Sequence, residues 1–168
     1  MRSSFRRLAT TAPSCFAALV LWLAVVPPVA GAPPEPPPAD TAALQKVRDR
    51  FIESLNTADV KALAELFAPD ATVFFPLAAM PLRLENKEQI TAVFAAFFDG
   101  VRTREPGPRY MKLAPEDTRV QFLNDVAVVS FHLKGEQMIS RRTLVLHKIS
   151  GTWLIVHLHA SNVQIQKQ

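Results

Sequence analysis

Only one cysteine occurs in the 168 residues, Cys15, and it lies at the front of the apolar run Cys15 to Val26. Thiolate chemistry and disulfides are therefore excluded from everything downstream, which must be held by its core alone. Long hydrophobic runs are also missing. The Cys15–Val26 stretch falls short of the roughly 20 apolar residues that span a bilayer. With Arg2, Arg6 and Arg7 before it and Ala30-Gly31-Ala32 after it, it has the three parts of a secretory signal peptide. Residues 1–32 are read as that signal, with an uncleaved anchor as the alternative. A lipoprotein is disfavoured because the cysteine precedes the run. The expected destination is the periplasm or the exterior, with no membrane association after cleavage.

Excess charge disappears with the leader. The whole chain has 19 Lys and Arg against 15 Asp and Glu, a net +4; without its three arginines the balance is 16 against 15, or +1. The sequence pI near 9.6 is thus largely a property of the leader, and a nucleic-acid partner, which needs cations to neutralise phosphates, is not expected. Residues 33–39, PPEPPPA, read as a proline-rich tether in extended conformation. The remainder, 40–165, suffices for one domain.

Three helices come first. Asp40 is the expected N-cap of a helix reaching about Asn56, with Leu44, Val47, Phe51, Ile52 and Leu55 on one face. A shorter helix begins near Asp59 and ends before Pro69, where the chain turns into an extended piece, Ala71 to Phe75. A third, Lys87 to about Val101, is capped by Asn86 with Gln89 reaching back. Its stripe of Ile90, Val93, Phe94, Phe97, Phe98 and Val101 packs into a core or walls an apolar cavity. Tyr110 to Leu113 reads as a short extended piece. Strands follow at Thr118–Leu123, Val126–Leu133, Met138–Lys148 and Thr152–Val163. Helices first and an antiparallel meander second is an α+β order, with the helices on one face of a curved sheet.

The last two strands flank Ser150-Gly151, a two-residue hairpin signal. Taking that pair as the loop sets Lys148 opposite Trp153, Leu146 opposite Ile155, Leu144 opposite His157 and Arg142 opposite His159. Arg142, Leu144, Leu146, Ile155, His157 and His159 then share one face. The other carries Thr143, Val145, His147, Leu154, Val156, Leu158 and Ala160. A bulge in the strand would instead part His157 from His159.

The element order, the stretch Leu66-Phe67-Ala68-Pro69-Asp70-Ala71-Thr72-Val73 and the ending Gly151-Thr152-Trp153-Leu154-Ile155-Val156-His157-Leu158-His159-Ala160-Ser161 resemble the nuclear transport factor 2-like superfamily. Within it they are similar to the SnoaL-like branch and to the association domain of calcium/calmodulin-dependent kinase. The resemblance covers about residues 40–165. It implies a cone-shaped fold with a pocket between helices and concave sheet, and a homodimer through the sheet. In the kinase domain an arginine follows the second histidine of the motif; here that position is Ala160. The Asp and Tyr pair of ketosteroid isomerases has no counterpart, since the single tyrosine is Tyr110.

Three functional readings follow. The preferred one is an exported, dimeric pocket protein for a small, partly apolar molecule, lined by Phe51, Phe94, Phe97, Leu144 and His157 with Arg142 able to hold an anionic group. The second is a lyase or isomerase using His157 or His159 as its acid–base group. The third is an oligomerisation module whose pocket is filled. No cofactor is implied. A metal site is not expected either, because His157-x-His159 supplies two ligands where zinc takes three or four.

Overall fold

The computed structural model describes residues 37–76, 82–135 and 137–165, so the leader and the first residues of the tether lie outside the described residues. The first helix, α1, is Pro38–Asn56. It begins two residues before the expected Asp40, inside the proline-rich segment. A proline at the first helical position has the required φ and lacks only an N–H that would have had no partner. The helix start has no side-chain cap. Asp40 instead reaches across to the last hairpin, accepting from Lys148 Nζ at 2.6 Å and Trp153 Nε1 at 3.1 Å. The Lys148 hydrogen bond, then that of Trp153, holds the Asp40 carboxyl below its ordinary range.

Helix α2, Val60–Ala64, is capped by the Asp59 carboxylate, which accepts from Ala62 N. Strand β1, Phe67–Phe74, follows directly, so the extended piece starts before Pro69 rather than after it. In α3, Lys87–Arg104, Asn86 Oδ1 accepts from Gln89 N at 2.9 Å, and Gln89 Oε1 accepts from Glu85 N, one residue earlier than a standard capping box. The helix runs three residues past Val101. Strands β2, β3, β4 and β5 are Pro115–Leu123, Val126–Lys134, Met138–Ile149 and Thr152–Gln164. Tyr110–Leu113 is not a strand. It is pinned by Asn56 at the end of α1, a contact taken up below.

The five strands form one curved, mostly antiparallel sheet in the order β1-β5-β4-β3-β2, with β1 parallel to β5. Ala127, Val129, Phe131 and Leu133 of β3 are buried on the inner face, while the residues between them are half-exposed on the outer face. The helices pack their stripes on the inner face. Phe51 of α1 meets Phe131 edge-on at 6.5 Å, and Phe94 of α3 lies among Phe67, Phe75 and Phe98. Helices against the concave side of an open sheet is the cone-shaped α+β arrangement expected from the element order.

The hairpin turn is built as anticipated. Ser150 and Gly151 have φ of 49° and 81°, the two left-handed positions of a type I′ turn. Pairing follows the expected register from Ile149–Thr152 to Leu146–Ile155. There a bulge intervenes. Val145 pairs with His157, leaving Val156 as the extra residue, and the register beyond is displaced by one. Leu144 faces Leu158 rather than His157, and Arg142 faces Ala160 rather than His159. A one-residue slip reverses every side chain. The bulge precedes both histidines, so it moves them together to the outer face instead of parting them.

Candidate functional site

Between the helices and the inner face of the sheet lies a cavity of about 320 Å3. Its helical wall is Phe51 and Leu55 from α1, one turn apart, with Phe94 and Phe97 from α3. These come from the stripes that the helical periodicity dictates. Phe75 and Pro76, at the end of β1, close a third side. The sheet contributes Leu133 and Lys134 from β3, Met138, Ser140 and Arg142 from β4, and Leu158, Ala160 and Asn162 from β5. Met111 and Leu113 complete the lining.

The last two are placed by a single buried side chain. Asn56 is 1% exposed. Its Nδ2 donates to Leu113 O at 3.0 Å, its Oδ1 accepts from Leu113 N at 2.7 Å, and its backbone oxygen accepts from Met111 N at 3.2 Å. An amide with one donor end and one acceptor end thus reads the segment as a neighbouring strand would. The loop stays irregular yet has a fixed position.

Arg142 is one of four polar residues in the cavity wall, with Lys134, Ser140 and Asn162. It is half-buried, and burial pulls its guanidinium below its ordinary value, though an arginine stays charged at neutral pH. Its Nη1 donates to Arg141 O at 2.9 Å, with Ser161 O at 3.5 Å. No carboxylate pairs with it among the described residues. Lys134 is the other ionisable lining residue described, and no described Asp, Glu, His, Cys or Tyr lines the cavity.

Of the residues singled out in the sequence, Phe51, Phe94, Phe97 and Arg142 come together around this space. Leu144 is fully buried in the core beneath it and does not reach the lining. His157 and His159 do not join them. They lie on the outer face, where His157 Nδ1 is 2.8 Å from Thr72 Oγ1 and Phe74 packs against both rings at 5.8 and 6.0 Å. Burial, then the nearby charges of His159 and Arg83, lowers the His157 pKa below 6.5. His132 and His147 sit on the same face, near Asp117 and Asp125 at 3.6 and 3.1 Å, so the sheet separates all four histidines from the cavity. Among the described residues no three His, Cys, Asp or Glu side chains gather as a metal site requires.

Met111, Leu113, Ser140, Leu158 and Ala160 went unseen in the sequence. For Leu158 and Ala160 the bulge hides the signal, since simple alternation puts them on the outer face. For Met111 and Leu113 the only pointer is a polar residue at a helix end.

The helices thus cover the concave side of the sheet around a mostly apolar cavity with the half-buried Arg142 in its wall. The SnoaL-like domain family matches residues 44–166, so the chain belongs to the SnoaL-like family. Solved structures agree on the fold. A nuclear transport factor 2-like protein of unknown function from Pseudomonas putida is 18% identical, with 73% of this chain and 86% of that one covered and a TM-score of 0.62. A cystatin-like-fold protein from Caulobacter vibrioides is also 18% identical, over 73% and 89%, at 0.61. A candidate calcium/calmodulin-dependent protein kinase II association domain from Xanthomonas campestris is 25% identical, over 80% and 93%, at 0.57. No curated protein matches the chain.

Proposed function

We propose that this protein is an exported carrier or sensor that retains a small, partly apolar molecule in the cavity without transforming it. The carrying observation is the lining itself. Its volume, about 320 Å3, is at the lower end of ligand sites, and its walls are mostly aromatic and aliphatic with a few polar groups, the usual make-up of such sites. Acid–base turnover needs a group near neutral pKa within reach of the substrate. None of the described lining residues is such a group, and the histidines that would serve lie beyond the sheet. The export part of the proposal rests on the three-part leader, and the intact mass of protein recovered from an exporting host would locate the cleavage.

Self-association is part of the same reading. The outer face has half-buried Val128, Val145 and Val156 beside Phe74, which is 40% exposed, and a second sheet would cover them.

The test is a fluorescence titration with the neutral apolar probe N-phenyl-1-naphthylamine. Wild type should saturate with one site per chain. Ala160→Phe, which extends a ring from β5 into the cavity, should weaken binding at least tenfold without lowering the melting temperature. Absence of saturable binding to wild type, or undiminished binding to the filled variant, would reject the reading.

A further inference from the structure

We infer that the cavity selects organic monocarboxylates, holding the carboxylate on the Nε/Nη2 edge of Arg142 and the apolar body against Phe94 and Phe97. The inference rests on the cavity being a ligand site and adds the chemical class of the occupant.

The argument starts from the donors of one side chain. A guanidinium has five N–H groups. The hydrogen bonds of Arg142 to Arg141 O and Ser161 O both leave from Nη1. Nε and Nη2 have no partner among the described residues. They are not sealed in the protein either, because among the described residues no buried side-chain nitrogen or oxygen is left without a hydrogen bond. Those two atoms therefore remain reachable, on a residue that lines the cavity. Side by side and parallel, they are the edge that matches the two oxygens of a carboxylate.

Charge points the same way. Burying a cation is costly unless it is paired, and among the described residues Arg142 pairs with no acid. The second ionisable lining residue described, Lys134, is also a cation. Replacing water at Arg142 by an anion relieves that cost, whereas a neutral ligand of the same shape displaces the water and leaves the charge bare. The Nη1 contacts to two backbone oxygens fix the orientation of the guanidinium plane before any ligand arrives, so little side-chain freedom is lost on binding. The number of anionic charges follows as well. One bidentate edge satisfies one carboxylate, and the other lining cation, Lys134, is exposed to solvent, where an ion pair contributes little. The small volume limits the body to one or two rings or a short chain.

The experiment compares 1-naphthylacetate with 1-naphthylacetamide, which share a shape and differ in charge, by isothermal titration calorimetry at pH 7.5. Wild type should bind the acid at least tenfold more tightly than the amide. Arg142→Gln should erase that ratio while the amide affinity stays within about threefold, and Arg142→Lys should restore part of it. Because the ratio is read on one sample, a variant with a reduced folded fraction still reports it. Equal binding of acid and amide to wild type, with Arg142→Gln changing neither, overturns the inference and leaves the pocket reading standing. Binding of neither probe, together with no binding of N-phenyl-1-naphthylamine, rejects the pocket reading itself and the inference with it.

Discussion

Replacing Asn56 should loosen the cavity wall by a calculable amount. Its side chain satisfies Leu113 N and Leu113 O together, at 2.7 and 3.0 Å, from a position that is 1% exposed. Asn56→Ala removes two hydrogen bonds worth about 1 kcal/mol each net, and adds a penalty for any group that water fails to reach. Leu113 is half-exposed, so water recovers part of that penalty and the expected loss is about 2–3 kcal/mol. With a urea slope of roughly 1–3 kcal/mol/M for a domain of this size, the midpoint should fall by about 0.7–3 M. Asn56→Asp tests the geometry more sharply. The carboxylate can still accept from Leu113 N, but its second oxygen now faces Leu113 O. At pH 8 it should cost more than alanine. On acidification a protonated carboxyl can donate to Leu113 O, which raises the folded-state pKa of the introduced acid. Its stabilising contribution is then complete at low pH and lost as pH rises through that value, so the gap from wild type should narrow toward pH 4. Equilibrium urea unfolding followed by circular dichroism at both pH values gives the numbers. An alanine variant within 0.5 kcal/mol of wild type, or an aspartate variant no worse than alanine at pH 8, would refute the reasoning.

Three further outcomes are expected. His157 is held below its ordinary pKa by burial first and by His159 and Arg83 next, so the unfolded chain takes up its proton before the folded one does. Its contribution to stability is intact above the unfolded value near 6.5 and is lost as pH falls from there through the folded pKa. Melting temperatures between pH 8 and 5 should decline in wild type and less steeply in His157→Gln; parallel curves would contradict the assignment. In the β4–β5 turn, Gly151 has φ of +81° and a Cβ there would touch nothing within 4 Å. Gly151→Ala should therefore cost about 1 kcal/mol through backbone strain alone, whereas Ser150→Asn should gain about 0.5 kcal/mol by suiting the type I′ position; thermal unfolding measures both.

Much of the architecture was legible because it depends on short-range periodicity. The apolar stripes of α1 and α3 recur every three or four residues, and burial of one stripe demands a partner surface whatever the rest of the chain does. That placed Phe51, Phe94 and Phe97 on the inward faces. The Ser-Gly turn fixed the first rungs of the hairpin for the same local reason, since two left-handed residues leave the strands one way to pair. Asp40 shows the limit of local rules. It has the chemistry of an N-cap, yet a proline two residues earlier starts the helix, and the carboxylate is used by Lys148 and Trp153, more than a hundred residues away.

By itself, then, the sequence determined the element order, the helical half of the cavity and the absence of disulfide chemistry. Only the tertiary structure decided what the cavity contains. One unpaired residue, Val156, turns His157 and His159 outward and brings Leu158 and Ala160 in beside Arg142. A bulge has no composition of its own to read. It arises where a strongly curved sheet must take up an extra residue, and that curvature belongs to the packed sheet rather than to any one strand. Asn56 likewise becomes a clamp only when the chain returns to it at Leu113, a contact that separation in sequence conceals.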